Sequence, residues 1–448
     1  MTSRELALAT VRDVFGVRLP HRGAHEAFDY RARRSGLDAR DRGFAAELAY
    51  GAIKARRYLD WVLQPYLEKR KESLPPTIAE ILRLGAYQLR EMSVPPRAAV
   101  SESVGLAKRF GHRGTAGLVN AVLRRVSENS SAPVVDDFAS PDDFEGTLRS
   151  YPTWIVTLVR EIFGQDRLDP ILAGMNARAR TALRVNLLRT EPETVLRELA
   201  DRNVAARRSE FVAEMLLLDD SASSEDLANA TLAFEGTAWD LQGEIAAVPV
   251  DLLDPQPGER VLDLAAGRGN KTLQIAGRLR GEGDIEAVEL DPRTIAQAQV
   301  RLNQFAVENV RLVEADIEHF PSTVGSAFDR VLLDAPCSGF GILGRQPEAR
   351  WRKQPADPPA LAERQARMLE AAAACVRAGG RLVYSVCTFD RRETVERVAA
   401  LLEAHPDFVR VRPPASYESF ATADGDLLIA PGIDGRDGFF VAVVEKAG

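Results

Sequence analysis

Cysteine is scarce in this chain, with three residues in 448, at positions 337, 375 and 387. None stands at Cys-x-x-Cys spacing, which excludes a disulfide scaffold. The five histidines, His21, His25, His112, His319 and His405, form no ligand cluster with the cysteines, so no metal is expected. Long apolar runs are also missing. No stretch approaches the ~18 residues that span a bilayer, and the start, Met1-Thr-Ser-Arg-Glu-Leu, lacks a signal-peptide pattern. A cytosolic protein with no membrane partner is expected, and neither internal repeats nor low-complexity tracts are evident.

What is present is ordinary globular material with uneven charge. At 448 residues and 45% hydrophobic content, two or three domains of the usual ~100–200 residues are expected. The net charge of −7 conceals an asymmetry. Residues 1–130 hold 23 Lys/Arg against 14 Asp/Glu, a balance of +9, whereas the remainder holds 35 against 51, or −16. A basic amino-terminal third suits phosphate contacts, which dominate affinity for nucleic acid; a solvated helical surface would carry the same charges.

Pattern divides the chain into 1–130, 131–240 and 241–448. The first part has helical periodicity throughout, as in Ile78–Arg90 and Ala116–Val126, and reads as all-α. Ser127–Pro133 and the acidic Asp136–Asp143 read as a linker. A small α+β module follows, with helices over Trp154–Ala173 and Glu193–Asn203 and strands over Ala182–Leu187 and Ala213–Leu218. From Arg260, strands at Arg260–Ala265, Asp284–Leu290, Val310–Glu314, Phe328–Leu333 and Gly380–Ser385 alternate with helical segments. That alternation predicts a mostly parallel, doubly wound α/β sheet. The last strand, Gly438–Glu445, arrives late and suits an antiparallel position.

The first strand–helix junction, Asp263-Leu-Ala265-Ala266-Gly267-Arg268-Gly269-Asn270-Lys271-Thr272, has small residues at 265, 267 and 269 that let the backbone approach a nucleotide-like ligand. A phosphate-binding P-loop ending at Lys271-Thr272 would need glycine where Ala265 and Asn270 stand, which argues against ATP or GTP; a dinucleotide fold stays open on the glycines alone. Glu289, 22 residues beyond Gly267, suits a carboxylate on ribose hydroxyls, with Asp291 as its competitor or as a helix cap. Asp316 suits either an adenine amino group or an N-cap.

Two cysteines sit at strand ends in polar sequence, Asp334-Ala-Pro-Cys337-Ser-Gly and Tyr384-Ser-Val-Cys387-Thr-Phe, and point to thiol chemistry. A thiolate is well suited to add to carbon 6 of a cytosine ring, which makes carbon 5 nucleophilic, and to leave again. Cys375, in the alanine-rich Leu369–Val376 run, reads as a core residue.

Taken in order, these pieces resemble the bacterial ribosomal RNA cytosine-C5 methyltransferases of the Sun or Fmu (RsmB-like) family, within the NSUN group, and the resemblance covers the whole chain. It rests on Asp41–Gly51 and Gly117–Arg124, similar to a NusB-type RNA-binding domain, and on Asp334–Gly339, Arg345-Gln-Pro-Glu-Ala-Arg-Trp351, Tyr384–Cys387 with Glu393, and Gly435–Phe440. It implies a Rossmann-like class I methyltransferase domain, S-adenosylmethionine bound by residues 265–271, Glu289 on the ribose and Asp316 near adenine. Asp334 would stand between cofactor and base, Cys387 would be the nucleophile, and Cys337 would help break the adduct. The implied partner is 16S ribosomal RNA, and the implied enzyme a monomer. The family's usual Cys-Ala-Ala-Pro-Gly-Gly-Lys loop appears here as Ala265-Ala-Gly-Arg-Gly-Asn-Lys271, without its Cys, Pro and one Gly. Val386 and Thr394 replace a common Thr and Asn. The other readings are a non-catalytic RNA-binding assembly factor and a DNA cytosine methyltransferase that uses the Pro-Cys thiol as nucleophile.

Overall fold

The helical periodicity of the first 130 residues becomes α1 (Ser3–Phe15), α2 (Ala24–Ala32), α3 (Ala39–Lys54), α4 (Arg56–Leu63), α5 (Pro76–Arg90), α6 (Pro96–Phe110) and α7 (Arg113–Glu128). Local chemistry fixes the helix starts. Thr2 and Glu5 cap α1 reciprocally, Asp38 accepts the Asp41 N–H ahead of α3, and α5 and α6 each begin on proline, which has no N–H to leave unsatisfied. Their apolar faces meet in one core around Leu8, Leu48, Ile81, Leu82, Val119 and Leu123.

The structure is a computed structural model that describes residues 1–16, 22–67, 74–129, 131–219, 237–320 and 327–448. His21 and Ser130 lie outside the described residues. Among the described residues no helix is long and apolar enough to cross a membrane.

Packing separates two units, Met1–Asn176 with Arg345–Lys353, and Ala177–Gly344 with Gln354–Gly448. The first unit thus runs past residue 130 to Asn176. Local structure gives the reason. Residues 136–143, expected as linker, hold a 3₁₀ turn (Val135–Asp137) and the start of α8 (Pro141–Leu148), capped by Ser140. Together with α9 (Thr153–Phe163) and α10 (Gln165–Asn176), separated at the left-handed Gly164, α8 belongs to the first unit. Arg57 fastens it there, donating to Thr147 Oγ1, Tyr151 O, Thr153 Oγ1 and Asp143 O.

The same unit receives Arg345–Lys353, the segment whose motif the resemblance placed in the catalytic part. Arg350 is fully buried, with its guanidinium 3.9 Å from the Tyr151 ring centroid and donating to Asn176 Oδ1 (2.7 Å) and Ser150 O (3.2 Å). Trp351 Nε1 donates to Ile53 O (2.7 Å), and Arg352 donates to the carbonyls of Val14 and Arg22.

In the second unit, β1 (Ala182–Val185), α11 (Pro192–Ala200), β2 (Ala206–Arg208), β3 (Met215–Leu218) and β4 (Trp239–Leu241) make an α+β module with the antiparallel order β2-β3-β1-β4. The larger sheet contains β5 (Arg260–Leu264), β6 (Asp284–Glu289), β7 (Val310–Glu314), β8 (Phe328–Asp334), β9 (Val376–Val386), β10 (Phe408–Arg410), β11 (Leu427–Ile429) and β12 (Phe439–Lys446). Its order is β10-β12-β9-β8-β5-β6-β7, with β11 on β12. Strands β5 to β9 are parallel and β12 is antiparallel to β9. Helices α12 (Val248–Leu253), α13 (Asn270–Arg278), α14 (Pro292–Gln304), α15 (Asp357–Cys375) and α16 (Val395–Ala404) complete this Rossmann-like domain. Cys375 is buried in the core, as its setting implied, and burial pushes its thiol up to about 11.

Candidate active site

Chain order reverses between β5 and β8, and at such a switch point the carboxyl ends of parallel strands open into a crevice. Here the crevice is a pocket of ≈ 350 Å³, whose lining includes Ala265 after β5, Glu289 at the end of β6, Asp316 after β7, and Asp334 and Pro336 at the end of β8. Leu290, Asp291, Ile317, Arg364 and Met368 complete it. Nothing in the local sequence around Arg364 and Met368, on α15, distinguishes them from surface and core positions.

The loop after β5 is bent by three left-handed residues, Ala265 (φ 58°), Gly267 (φ 56°) and Gly269 (φ 78°). Added Cβ atoms at Gly267 and Gly269 would meet nothing closer than 3.9 and 3.7 Å, so conformation and not space calls for glycine there. Ala265 reaches the pocket, whereas Arg268 and Asn270 are exposed and do not line it. Lys271, at the start of α13, points its ammonium to Asp334 Oδ2 at 2.5 Å. Beneath the loop, Asp263 is buried and accepts from Thr272 Oγ1 (2.6 Å), and burial pushes its carboxyl up to about 7.

Glu289 and Asp291 have separate tasks. One oxygen of Glu289 accepts the Gly267 N–H (3.0 Å) and the other the Leu290 N–H (2.8 Å), which ties the end of β6 to the loop. Asp291 caps α14 through Arg293 N and Thr294 Oγ1. Asp316 lines the pocket and also caps the 3₁₀ turn Ile317–His319.

Register brings the cysteines together. Asp334 of β8 pairs with Ser385 of β9, so the chains leaving these parallel neighbours emerge side by side. The Cys337 and Cys387 sulfurs are 3.3 Å apart. Contact with the Cys387 sulfur, together with burial, holds Cys337 well above the ordinary thiol range. Asp334 accepts from Ser385 Oγ (2.7 Å), a partner that nothing in the sequence singles out.

A buried clamp behind the Cys337 turn is legible in the chain only as a motif glutamate. Glu393 Oε2 accepts from Ser338 N and from Gln365 Nε2, both at 2.9 Å. Gln365 Nε2 also donates to Pro336 O (2.9 Å), and Ser338 Oγ lies 2.7 Å from Thr388 Oγ1. The peptide groups on both sides of Cys337 are thereby fixed, and burial raises the Glu393 carboxyl.

The pocket's chemistry distinguishes among nucleotides. Glu289, Asp291, Asp316 and Asp334 line it against a single cation, Arg364, so a phosphate-bearing cofactor would face mostly carboxylates, whereas a nucleoside carrying positive charge would be attracted. These residues fit S-adenosylmethionine and disfavour the dinucleotide left open by the glycines. Among the described residues no group of three or more His, Cys, Asp or Glu is arranged to hold a metal.

Three family models match the chain: 16S rRNA methyltransferase RsmB/F over residues 250–445, the NusB family over 1–128, and an RsmF/B-like ferredoxin-like domain over 151–225. A Bacillus subtilis relative described as "Probable ribosomal RNA small subunit methyltransferase B" is 30% identical, with 92% of each chain covered. The Xanthomonas campestris ribosomal RNA small subunit methyltransferase B is 30% identical, covering 92% of this chain and 90% of its own. Among solved structures, PH0851 has a TM-score of 0.83 at 24% identity, covering 100% of this chain and 99% of that one. NSun6 from Pyrococcus horikoshii with SFG has a TM-score of 0.58 at 20% identity, covering 67% of this chain and 100% of its own. The two structural likenesses bear on the fold alone.

Proposed function

Because the chain belongs to the RsmB/F family of 16S ribosomal RNA methyltransferases, we propose that it methylates carbon 5 of a cytidine in small-subunit ribosomal RNA through a cysteine–C6 adduct. The observation that carries this reading is the pair of thiols 3.3 Å apart at the ends of adjacent parallel strands. Ala265, Glu289, Asp316 and Asp334 would hold S-adenosylmethionine, which would supply an electrophilic methyl group.

Cys387 adds to C6, since carbon 5 becomes electron-rich only after that addition. Cys337, with its sulfur 3.3 Å away, is placed to hydrogen-bond the Cys387 sulfur as it departs. Loss of the C5 proton after methylation restores the ring and expels Cys387. Asp334, held by Ser385 and Lys271, accepts from the exocyclic amine of the base. The base must be unpaired or flipped to reach the thiol, and the basic amino-terminal region provides phosphate contacts.

The test is tritium transfer from labelled S-adenosylmethionine to unmodified ribosomal RNA, followed by bisulfite sequencing. A single protected cytosine in the small-subunit RNA is expected. RNA that takes up no label would leave a non-catalytic assembly factor, and labelled DNA would move the substrate class.

A further inference from the structure

The loop at 265–270 poses a mechanical problem. Three of its residues hold positive φ, one of them an alanine, and it contains no proline to preset its path. A non-glycine residue in the left-handed region is strained and persists only where its surroundings hold it. Glu289 holds the loop on the side of the pocket by accepting the Gly267 N–H.

Arginines take other groups of the loop. Arg301, from α14, donates through one nitrogen to Arg268 O (2.9 Å) and Asn270 Oδ1 (2.6 Å). Its other nitrogen pairs with Asp240 of β4. Arg184, which stands opposite Asp240 in the β1–β4 register, is buried and donates to Asn270 O while lying 3.5 Å from the same carboxylate. Asp240 thus holds two guanidiniums, and the guanidiniums hold the loop's acceptors. Neither arginine lines the pocket.

We propose that Arg301, with Arg184 and Asp240, is a positioning device that holds the 265–270 loop in its cofactor-binding conformation, so that the α+β module sets the affinity for S-adenosylmethionine. This rests on the cofactor reading above. Guanidinium geometry is essential to it, because a lysine at 301 keeps the charge near Asp240 but cannot serve both loop acceptors and the carboxylate together.

The test uses the full-length protein, with S-adenosylhomocysteine titrated by calorimetry and amide exchange followed over residues 265–271. Arg301→Met should weaken binding about tenfold or more, the scale of losing hydrogen bonds to a charged group. Loop amides should exchange faster while β6 stays protected, and Arg301→Lys should recover part of the affinity. Asn270→Ala, which removes one acceptor, should weaken binding several-fold, and the double variant should lose less than the product of the two effects. Arg377→Met is the control, since Arg377 makes an exposed ion pair with Asp329 at the end of β8 away from the pocket, and it should bind as wild type. If Arg301→Met fails to fold, Asn270→Ala and Arg301→Lys decide the matter. Wild-type affinity in folded variants would overturn the brace, whereas a wild-type protein that binds no S-adenosylhomocysteine would remove the cofactor reading itself.

Discussion

Replacing Glu393 by alanine tests whether the Cys337 turn is held as its geometry implies. The substitution removes the acceptor of the Ser338 N–H and one of the two acceptors of Gln365 Nε2, all in a fully buried setting. The orphaned Ser338 donor costs about 1–3 kcal/mol and the Gln365 bond, whose donor retains Pro336 O, about 1 kcal/mol more, so the turn should lose about 2–4 kcal/mol of local stability. The desolvation that raises the Glu393 carboxyl opposes this and is relieved in the variant, which favours the lower end. Local opening at Ser338 should become about 30- to 1000-fold more frequent. Amide exchange over residues 335–341 reads that change directly, and it suits a multi-unit chain better than a global melting curve. With Cys337 displaced from its 3.3 Å approach to Cys387, a covalent protein–RNA species should accumulate while cofactor affinity is kept. Unchanged Ser338 protection together with full turnover would refute the clamp.

Cys387→Ala should form no adduct, whereas Cys337→Ala should attack, methylate and stall as a retarded band on denaturing gels; the reverse pattern would make the Pro-Cys thiol the nucleophile. Gly269→Val places a β-branched residue at φ 78° and should abolish cofactor binding in a protein whose other helices keep their signal, as calorimetry and circular dichroism would measure. Asp263 holds its proton more tightly folded than unfolded, so its stabilising contribution is full below the ordinary carboxylate range and is lost as pH rises through about 7. Asp263→Asn should therefore flatten that part of the melting profile between pH 4 and 8, and parallel profiles would contradict the assignment. Changing the exposed Arg33, Arg40 and Arg42 to Gln should lower the slope of log affinity against log salt by about 0.7 for each phosphate of single-stranded RNA that these arginines neutralise, and an unchanged slope would place the RNA elsewhere.

Features set by local pattern are readable in the chain. Apolar runs locate β5 to β9 and β12, and strand-end acids with small-residue loops locate the crevice, because both obey short-range periodicity. Cys337 and Cys387 stand out as a pair, but their 3.3 Å approach depends on the Asp334↔Ser385 register, a long-range fact. Strands β10 and β11, of three residues each, are too short to carry a period. Helix α8 is hidden by its acidic first turn, which stabilises a helix start but resembles a linker in composition. The Arg184–Asp240–Arg301 group joins residues far apart in sequence, and none looks unusual alone. Arg350 belongs to a motif that the resemblance groups with the catalytic part, whereas its side chain is buried against Tyr151, a contact no local pattern announces.

That burial carries a consequence for how the protein is made. The first unit contains Arg345–Lys353, so its interior cannot be completed when residue 176 leaves the ribosome. At ordinary elongation rates of ~5–20 residues per second, the nascent amino-terminal helices wait on the order of ten seconds or more for Arg350 and Trp351 to arrive. During that interval Tyr151, Asn176 and the Ile53 carbonyl lack their finished partners. A vectorial order of maturation, one unit sealed before the next begins, is therefore closed to this chain.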